Sequence, residues 1–282
     1  MSIKFKKLLG VKISITTKEN ILEEVRKYLK QLPNSNFQSA KKEPKPLVIF
    51  TPNPEIITFA QKYPLFKRIV NSSQINIADG SGIVWAMKKE WGIKINTIPG
   101  VDLMSELVKL SEKNVFRIGL IGGRGGLAVK TAECLRQLYP KLKISVFVEP
   151  EINLSNDKLK LSIYSDKKEA DSRIYMRNLA KEILRKKVDM LFVALGFPKQ
   201  EIFIDRLRYY TGNSPLVIMG VGGSFDYITG NARRAPLFLR VRGQEWLFRL
   251  VNQPWRINRQ ITGSQFFLQI ILKGTTQGFL RK

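Results

Sequence analysis

The stretch VDMLFVALGFPKQE, residues 188–201, decides the predicted fold of this chain. It begins with a near-continuous apolar run, which is typical of a strand buried on both faces of a sheet. Gly196 then permits an unusual backbone angle, and Pro198 stands where a helix can begin without losing a hydrogen bond. The stretch therefore predicts a buried strand, a glycine turn and a helix in immediate succession.

The same succession recurs along the chain. Apolar, β-branched runs lie at 47–51, 75–78, 115–122, 143–149, 188–195 and 216–222, and helical patterns lie at 55–62, 82–89, 103–112, 128–138, 174–187 and 201–210. This alternation predicts an α/β fold, a Rossmann-like, mostly parallel sheet with helices on both faces. We expect a main domain over residues 1–230, with a linker-like loop at 33–46 and a charged insertion at 150–173. A basic, amphipathic, helical C-terminal appendage is expected over 231–282.

The charge of the chain predicts an anionic partner. The 282 residues include 48 Lys and Arg against 23 Asp and Glu, a formal charge of +25. Nucleic acid, an anionic membrane surface and phosphorylated ligands all fit that charge. Residues 231–282 contain ten basic residues and a single acidic one, Glu245. No run is apolar for the roughly 18 residues that a transmembrane helix needs.

The residue inventory excludes several kinds of chemistry. The chain has no histidine and one cysteine, Cys134, which excludes Ser-His-Asp and Cys-His nucleophile systems, most zinc sites and a disulfide framework. Cys134 falls in a helical pattern and is expected to be a small buried residue. Proton transfer must then be carried by Asp, Glu, Lys or Tyr.

Five polar turns follow the predicted strands, at the sheet edge where open α/β folds bind ligands. In FTPNPE (50–55), Asn53 and Pro54 fit the start of a helix, whereas Thr51 at the strand end can bond a ligand hydroxyl. In INIADGSG (75–82), Asp79 is either a helix cap or the group that does chemistry. GVGGSFDYITG (220–230) is a further glycine turn, in which a structural role is expected for Asp226.

The remaining turns suggest a phosphate site. IGGRGGLA (121–128) has the spacing Gly123-x-Gly125-x-x-Ala128, and Glu149 closes the next strand 21 residues later. This resembles a dinucleotide fingerprint, in which a helix N-terminus attracts phosphate. In GFPKQE, Lys199 would oppose the dipole at its helix start unless an anion lies nearby.

The tail ARRAPLFLRVRGQEWLFRLVNQPWRINRQ (232–260) interleaves arginine with tryptophan, phenylalanine and leucine. Arg242, Arg249 and Arg256 are seven residues apart and would share one helix face if Pro254 did not interrupt the helix. The pattern fits a membrane-surface element or a face that follows the phosphates of a nucleic acid. The arginine fork suits a diphosphate because it bonds two oxygens at once.

These blocks, in this order, resemble the WecG/TagA/CpsF family of bacterial glycosyltransferases over roughly residues 11–260. The blocks are FTPNPEIITFA, INIADGSGIVWA, PGVDL, LIGGRGG, VALGFPKQE, GVGGSFDYITG, RRAP and EWLFRLVNQPWR. The resemblance implies inverting, metal-independent transfer of an N-acetylhexosamine, typically N-acetylmannosamine, from a UDP-sugar. The implied acceptor is a polyprenyl-diphosphate-linked GlcNAc at the cytoplasmic membrane face, where the enzyme would be peripheral. No cofactor is implied, and the chain contains no Asp-x-Asp motif.

The resemblance also implies roles for individual residues. Asp79 matches the catalytic base. The positions expected to contact substrate are Thr51, Asn53 and Gln200. The glycine turns and the residues around them are expected to hold the nucleotide: Gly122, Gly123, Gly196, Pro198, Lys199, Glu201, Gly222 and Gly223. The appendage arginines are expected to hold the lipid diphosphate: Arg233, Arg234, Arg249 and Arg256.

Two departures from the family pattern and three alternatives remain open at this point. Thr97 stands where the family often has arginine, and EPEINL replaces the usual G-Y-F near Glu149, so the sugar could differ. The alternatives are a UDP-hexose transferase in exopolysaccharide synthesis, a nucleic-acid-binding protein and an NAD-dependent oxidoreductase. Nucleic acid is not the expected partner, and a homo-oligomer is left open.

Overall fold

The computed structural model describes residues 3–30, 45–150, 152–155, 160–163, 169–254 and 257–279. The strands in chain order are β1 (Lys4–Leu8), β2 (Val11–Ile15), β3 (Leu47–Phe50), β4 (Ile75–Asn76), β5 (Arg117–Gly122), β6 (Lys143–Val146), β7 (Ile152–Ser155), β8 (Lys160–Ile163), β9 (Met190–Ala194) and β10 (Val217–Gly220). The helices are α1 (Lys18–Lys30), α2 (Pro54–Lys62), α3 (Pro64–Asn71), α4 (Ser81–Trp91), α5 (Gly100–Asn114), α6 (Leu127–Leu138), α7 (Glu169–Arg185), α8 (Lys199–Thr211), α9 (Ser224–Ile228), α10 (Leu237–Val241), α11 (Glu245–Asn252) and α12 (Ile257–Phe279).

The six apolar runs predicted as strands form one six-stranded sheet. Its order is β4-β3-β10-β9-β5-β6, and every neighbouring pair in it is parallel. Two buried clusters cover its faces, one formed with α2, α3, α4, α7, α8 and α12 and the other with α1, α5, α6 and α9. The predicted parallel α/β sheet with helices on both faces is confirmed.

The strand order creates a switch point. The chain leaves β5 towards β6 and leaves β9 towards β10, so the connections after the adjacent strands β5 and β9 diverge. Diverging connections open a crevice at the carboxyl ends of such strands, and ligands bind there. After β3 the chain turns to the edge strand β4, so the turns after β3 and β4 lie at the same edge of the sheet as this crevice.

Two antiparallel hairpins lie outside this sheet. β1 and β2 pair next to the edge strand β4, where the Ser14 hydroxyl accepts a hydrogen bond of 3.0 Å from the Asn76 N–H. β7 and β8 form a hairpin within the segment predicted only as a charged insertion. Of the linker predicted over 33–46, residues 33–44 lie outside the described residues.

The C-terminal helix packs on the main domain. In α12, Phe266 and Ile270 are fully buried and belong to the same cluster as α2, α4 and α8. A Cβ on Gly82 would lie 2.9 Å from both Phe267 of α12 and Pro54 of α2, so this contact depends on glycine. Lys273 pairs with Glu90 of α4 at 3.1 Å. The segment that the sequence separates as an appendage thus shares the core of the domain.

Phe266→Ala should lower the free energy of unfolding by about 3–5 kcal/mol, the usual cost of deleting a buried phenyl ring. Leu268→Ala, two residues away on the exposed side of α12, is the matched control and should cost under about 0.5 kcal/mol. Denaturant unfolding of both variants measures the difference. Equal, small losses would show that α12 does not pack on the domain in solution.

Candidate active site

Asp79 lies at the carboxyl edge of the sheet, just beyond β4. Its backbone N–H donates to the Pro52 carbonyl at 3.3 Å, and the Ala78 carbonyl accepts a hydrogen bond from the Ile98 N–H. The first bond fastens the Asp79 turn to the Thr51–Asn53 turn after β3, and the second fastens it to the segment before α5. The N-cap of α4 is Gly80, at φ +98°, with no side-chain cap bond. The alternative that Asp79 is the cap of this helix is therefore wrong, because the chain enters α4 through a conformation that favours glycine.

The Asp79 carboxylate has an unusual environment. Burial raises its pKa to about 6 from the ordinary 3.8, and the nearby carboxylates of Glu245 and Asp102 push it in the same direction. Arg249 and Arg234 oppose that rise. A carboxyl group with a pKa near neutrality can accept a proton at physiological pH, and such shifts concentrate at functional sites.

The turn after β3 is built as its sequence predicts. Asn53 caps α2 by accepting a hydrogen bond of 2.9 Å from the Ile56 N–H, and Pro54 is the first helical residue. Thr51 is buried, and its methyl group would lie 3.3 Å from a Cβ on Gly100, at the start of α5. Both residues adjoin Asp79 through the Pro52 contact. Their contact with a substrate stays a prediction.

The β5–β9 crevice is lined by backbone. The Gly123 N–H donates to the Ala194 carbonyl at 2.9 Å, which joins the turns after β5 and β9. A Cβ on Gly122, at φ +94°, would lie only 2.7 Å from that same carbonyl oxygen. Gly196 also has a positive φ, and Pro198 is the N-cap of α8. The Gly123 N–H is thus used within the protein, and a phosphate bound at these turns would be held by their other N–H groups.

Gln200 joins two of the glycine turns. Its side-chain oxygen accepts a hydrogen bond of 2.9 Å from the Gly222 N–H, and its amide nitrogen donates to Glu201 at 2.9 Å. Gln200 and Glu201 are both buried, whereas Gly223 is exposed. The geometry gives Gln200 a positioning role between α8 and the turn after β10. Direct substrate contact by Gln200 stays a prediction.

Lys199 contacts the charged insertion. Its ammonium group donates to the Ile152 carbonyl of β7 at 2.7 Å. This partner is a neutral carbonyl oxygen, so an anion near this helix start stays a prediction. The insertion thereby reaches the rim of the β5–β9 crevice, a placement that nothing in its sequence indicates.

The appendage brings arginines to the Asp79 edge. Arg234 forms a two-bond pair with Asp102 at the start of α5, with Nη2 2.6 Å from Oδ2. Arg249 pairs with Glu245, and its guanidinium lies 5.2 Å from the centre of the Tyr227 ring. Since Arg249 and Arg234 both influence the pKa of Asp79, two of the predicted arginines lie near the predicted base.

The roles of the other two predicted arginines stay a prediction. The Arg233 side chain is exposed, and Arg256 lies outside the described residues. A second tie holds the appendage in place, because the Ser81 hydroxyl donates to the Gly243 carbonyl at 3.1 Å. A Cβ on Gly243 would come within 2.7 Å of the Ser81 side chain, so this approach depends on glycine.

The arginines retain unused donors. Within the described part of the chain, the buried Nε atoms of Arg234, Arg240 and Arg249 have no hydrogen-bond partner. Buried donors are almost always satisfied in folded proteins. Three unsatisfied guanidinium donors in the appendage are what a bound anion would complete.

Sequence reasoning missed Asp102, Arg240 and Tyr227 as members of this site, and it noted Glu245 only as the single acid of the tail. Asp102 stands in PGVDL, where it looks like a helix-start residue. Its pairing with Arg234 spans 132 residues. The available signal was the isolation of Glu245 among basic residues, four positions before Arg249, which is the spacing of a helical ion pair.

Comparisons with known proteins give matches over most of the chain. The model of the family described as "Glycosyl transferase WecG/TagA/CpsF family" matches residues 6–278. A protein of Bacillus subtilis (strain 168) named N-acetylglucosaminyldiphosphoundecaprenol N-acetyl-beta-D-mannosaminyltransferase is 32% identical over 225 residues, 79% of this chain and 78% of its own length. A protein of the same name from Staphylococcus aureus (strain MW2) is 27% identical over 252 residues, 89% of this chain and 86% of its own length.

Proposed function

The chain belongs to the WecG/TagA/CpsF family of glycosyltransferases, and from that premise we propose that it transfers N-acetylmannosamine from a UDP-sugar to a polyprenyl-diphosphate-linked GlcNAc. The relatives are named for transfer of this sugar to GlcNAc-diphosphoundecaprenol. The observation that carries the proposal is that Asp79, whose pKa burial raises to about 6, lies within electrostatic reach of Arg249 and Arg234. A proton acceptor and a cluster of anion-binding groups are what a lipid-diphosphate sugar acceptor requires.

Asp79 is the proposed base. As the acceptor hydroxyl oxygen forms its bond to the anomeric carbon, the hydroxyl proton passes to the Asp79 carboxylate and the bond from that carbon to the UDP oxygen breaks. Attack opposite the departing UDP inverts the anomeric centre. General-base assistance of this kind contributes roughly 10²–10⁴-fold to a rate.

The glycine turns are proposed to hold UDP. The backbone around Gly122, Gly123 and Gly196 surrounds the β5–β9 crevice, and donors fixed by the fold stabilise the charge on a departing diphosphate without reorganising. Lys199 and Glu201 flank that crevice on α8, while Gly222 and Gly223 follow β10. The exposed Thr97 precedes α5, where the arginine typical of the family is replaced.

The appendage arginines are proposed to hold the acceptor diphosphate. Arg234 and Arg249 are held by carboxylates, so their guanidinium planes are fixed before the ligand arrives. Fixed forks lose little entropy on binding a diphosphate. Arg233 and Arg256 are expected to add charge as the lipid enters.

We propose that residues 231–282 also attach the enzyme to the cytoplasmic face of the membrane. Six large apolar side chains of α10 and α11 are exposed: Leu237, Phe238, Val241, Trp246, Leu247 and Val251. A surface that combines such side chains with arginines suits an anionic lipid interface. Among the described helices, none has the length and hydrophobicity needed to cross a membrane.

A panel of UDP-sugars tests the proposal. The protein is incubated with each sugar and lipid-diphosphate-GlcNAc, and UDP release and product mass are measured. UDP-N-acetylmannosamine should give a product heavier by one N-acetylhexosamine, whereas lipid diphosphate without GlcNAc should give none. Turnover with UDP-glucose alone would support the alternative of a hexose transferase in exopolysaccharide synthesis.

A further inference from the structure

The outward side of α4 carries a second surface that the function above does not use. Trp85, Lys88, Lys89 and Trp91 are all exposed, and their spacing places them on the solvent side of this helix, opposite the buried Ile83 and its neighbours; we call them the α4 face. Exposed tryptophans are uncommon on a surface that only meets water. The α4 face therefore calls for a partner.

Lysines cover the two indole rings of the α4 face. The Lys89 ammonium lies 5.6 Å from the centre of the Trp85 ring, and that of Lys6 lies 4.5 Å from the centre of the Trp91 ring. The Trp91 indole N–H donates to the Lys7 carbonyl of β1 at 3.4 Å. Each ring is thus an apolar body with cations at its margin, the combination found at membrane interfaces.

The α4 face continues into the exposed side of α12. Phe267 contacts Trp85 with ring centres 5.3 Å apart, and Ile271 lies one helical turn further along on the same flank. Both are partly exposed, by 37% and 43%. The single acid on α4, Glu90, is mostly buried and paired with Lys273, so it does not offset the lysines. The combined surface is apolar at its centre and basic at its rim.

We propose that the α4 face lies on an anionic phospholipid bilayer, as a second membrane contact besides the exposed side chains of α10 and α11. Its charge complements acidic headgroups, and its tryptophans fit the headgroup level. The proposal rests on the proposed function in one respect, the orientation of the enzyme on the bilayer. Because α4 begins at the Asp79 turn, a bilayer along α4 would bring a lipid-linked acceptor to that turn. The charge and the apolar character of the surface do not depend on the proposed function.

Charge reversal on the full-length protein tests the proposal. Lys88→Glu with Lys89→Glu should weaken partition onto vesicles of phosphatidylglycerol and phosphatidylcholine by about tenfold or more, since each lysine near an anionic surface contributes about fivefold. Lys130→Glu with Lys143→Glu, two exposed lysines of α6 and β6, removes the same charge and should leave partition nearly unchanged. Equal partition of both double variants would overturn the proposal.

Tryptophan fluorescence gives an independent measurement. The chain has four tryptophans, so Trp246→Phe with Trp255→Phe leaves only Trp85 and Trp91 as indole probes. Their emission should shift to the blue and be quenched by brominated lipid when anionic vesicles are added. Vesicle binding without quenching would overturn the proposal. It would also be overturned if, without vesicles, the indole emission were quenched by raising the protein concentration or by adding RNA. Because neither measurement uses sugar transfer, failure of the proposed enzyme activity would leave these results interpretable.

Discussion

Asp79→Asn should reduce turnover by about two to four orders of magnitude, the contribution expected of a general base. Asparagine has nearly the same shape as aspartate but cannot accept the acceptor proton, so the KM values for donor and acceptor should change little. UDP release measured with saturating substrates gives the loss. Asp171→Asn, which alters an exposed carboxylate of α7, is the matched control and should retain full activity.

The pH profile of the unaltered protein identifies the same group. Since burial raises the pKa of Asp79 to about 6, kcat/KM should fall about tenfold per pH unit below pH 6, as the base becomes protonated. A profile that is flat down to pH 4.5 would assign the base to another residue. Full activity of Asp79→Asn would do the same.

As pH rises, the stability of the folded protein should decrease while its activity increases. The folded-state pKa of Asp79 is higher than the ordinary 3.8, so the folded state binds a proton more tightly than the unfolded chain between those values. Stability therefore falls as pH rises from about 4 to 6, and the cost persists above pH 6. Asp79→Asn removes that cost and should stabilise the folded state at pH 8 by about 3 kcal/mol, which is measured as a higher melting temperature. Near pH 2.5 the difference should vanish, because aspartate is then protonated in both states.

Arg249→Met should raise the KM for the lipid-diphosphate acceptor by at least about thirtyfold, because truncating one partner of a buried charge pair typically costs 2–5 kcal/mol. Arg249 pairs with Glu245, stacks over Tyr227 and holds an unsatisfied Nε donor, so methionine removes a fixed anion site while filling similar space. The KM for the UDP-sugar should be unaffected. Arg249→Lys, which keeps the charge but not the two-bond fork, should fall between.

Arg249→Met should also shift the pH profile of kcat/KM. Arg249 lowers the pKa of Asp79, so its removal should move the acidic limb of kcat/KM to higher pH. Arg242→Met alters an exposed arginine seven residues earlier and should leave both the acceptor KM and the limb in place. If Arg242→Met and Arg249→Met raised the acceptor KM equally, the diphosphate would be bound by general charge and not by a fixed pocket.

The strands and the turns that follow them could be predicted from sequence, because each depends on a few adjacent residues. A run such as MLFVA is apolar on both sides of the strand, which suits only a doubly covered parallel sheet. Gly122 could be predicted to form a turn in the same way. Its close approach to the Ala194 carbonyl could not be predicted, because Ala194 belongs to a different strand and the order of strands in the sheet brings the two together.

The same distinction between local sequence and folded chain applies to the site. The sequence by itself determined the fold class, the turns that carry Asp79 and Thr51, and the basic character of the tail, since these follow from local pattern and composition. Only the tertiary structure decided that Arg234 points inward to Asp102 while Arg233 is exposed, that Gln200 bonds the Gly222 turn, and that Gly80 and not Asp79 caps α4. Two adjacent arginines are identical as sequence, and they differ only in which one the distant start of α5 can reach. A carboxylate's pKa likewise depends on burial and on charges brought from other elements, which exist only once the chain has folded.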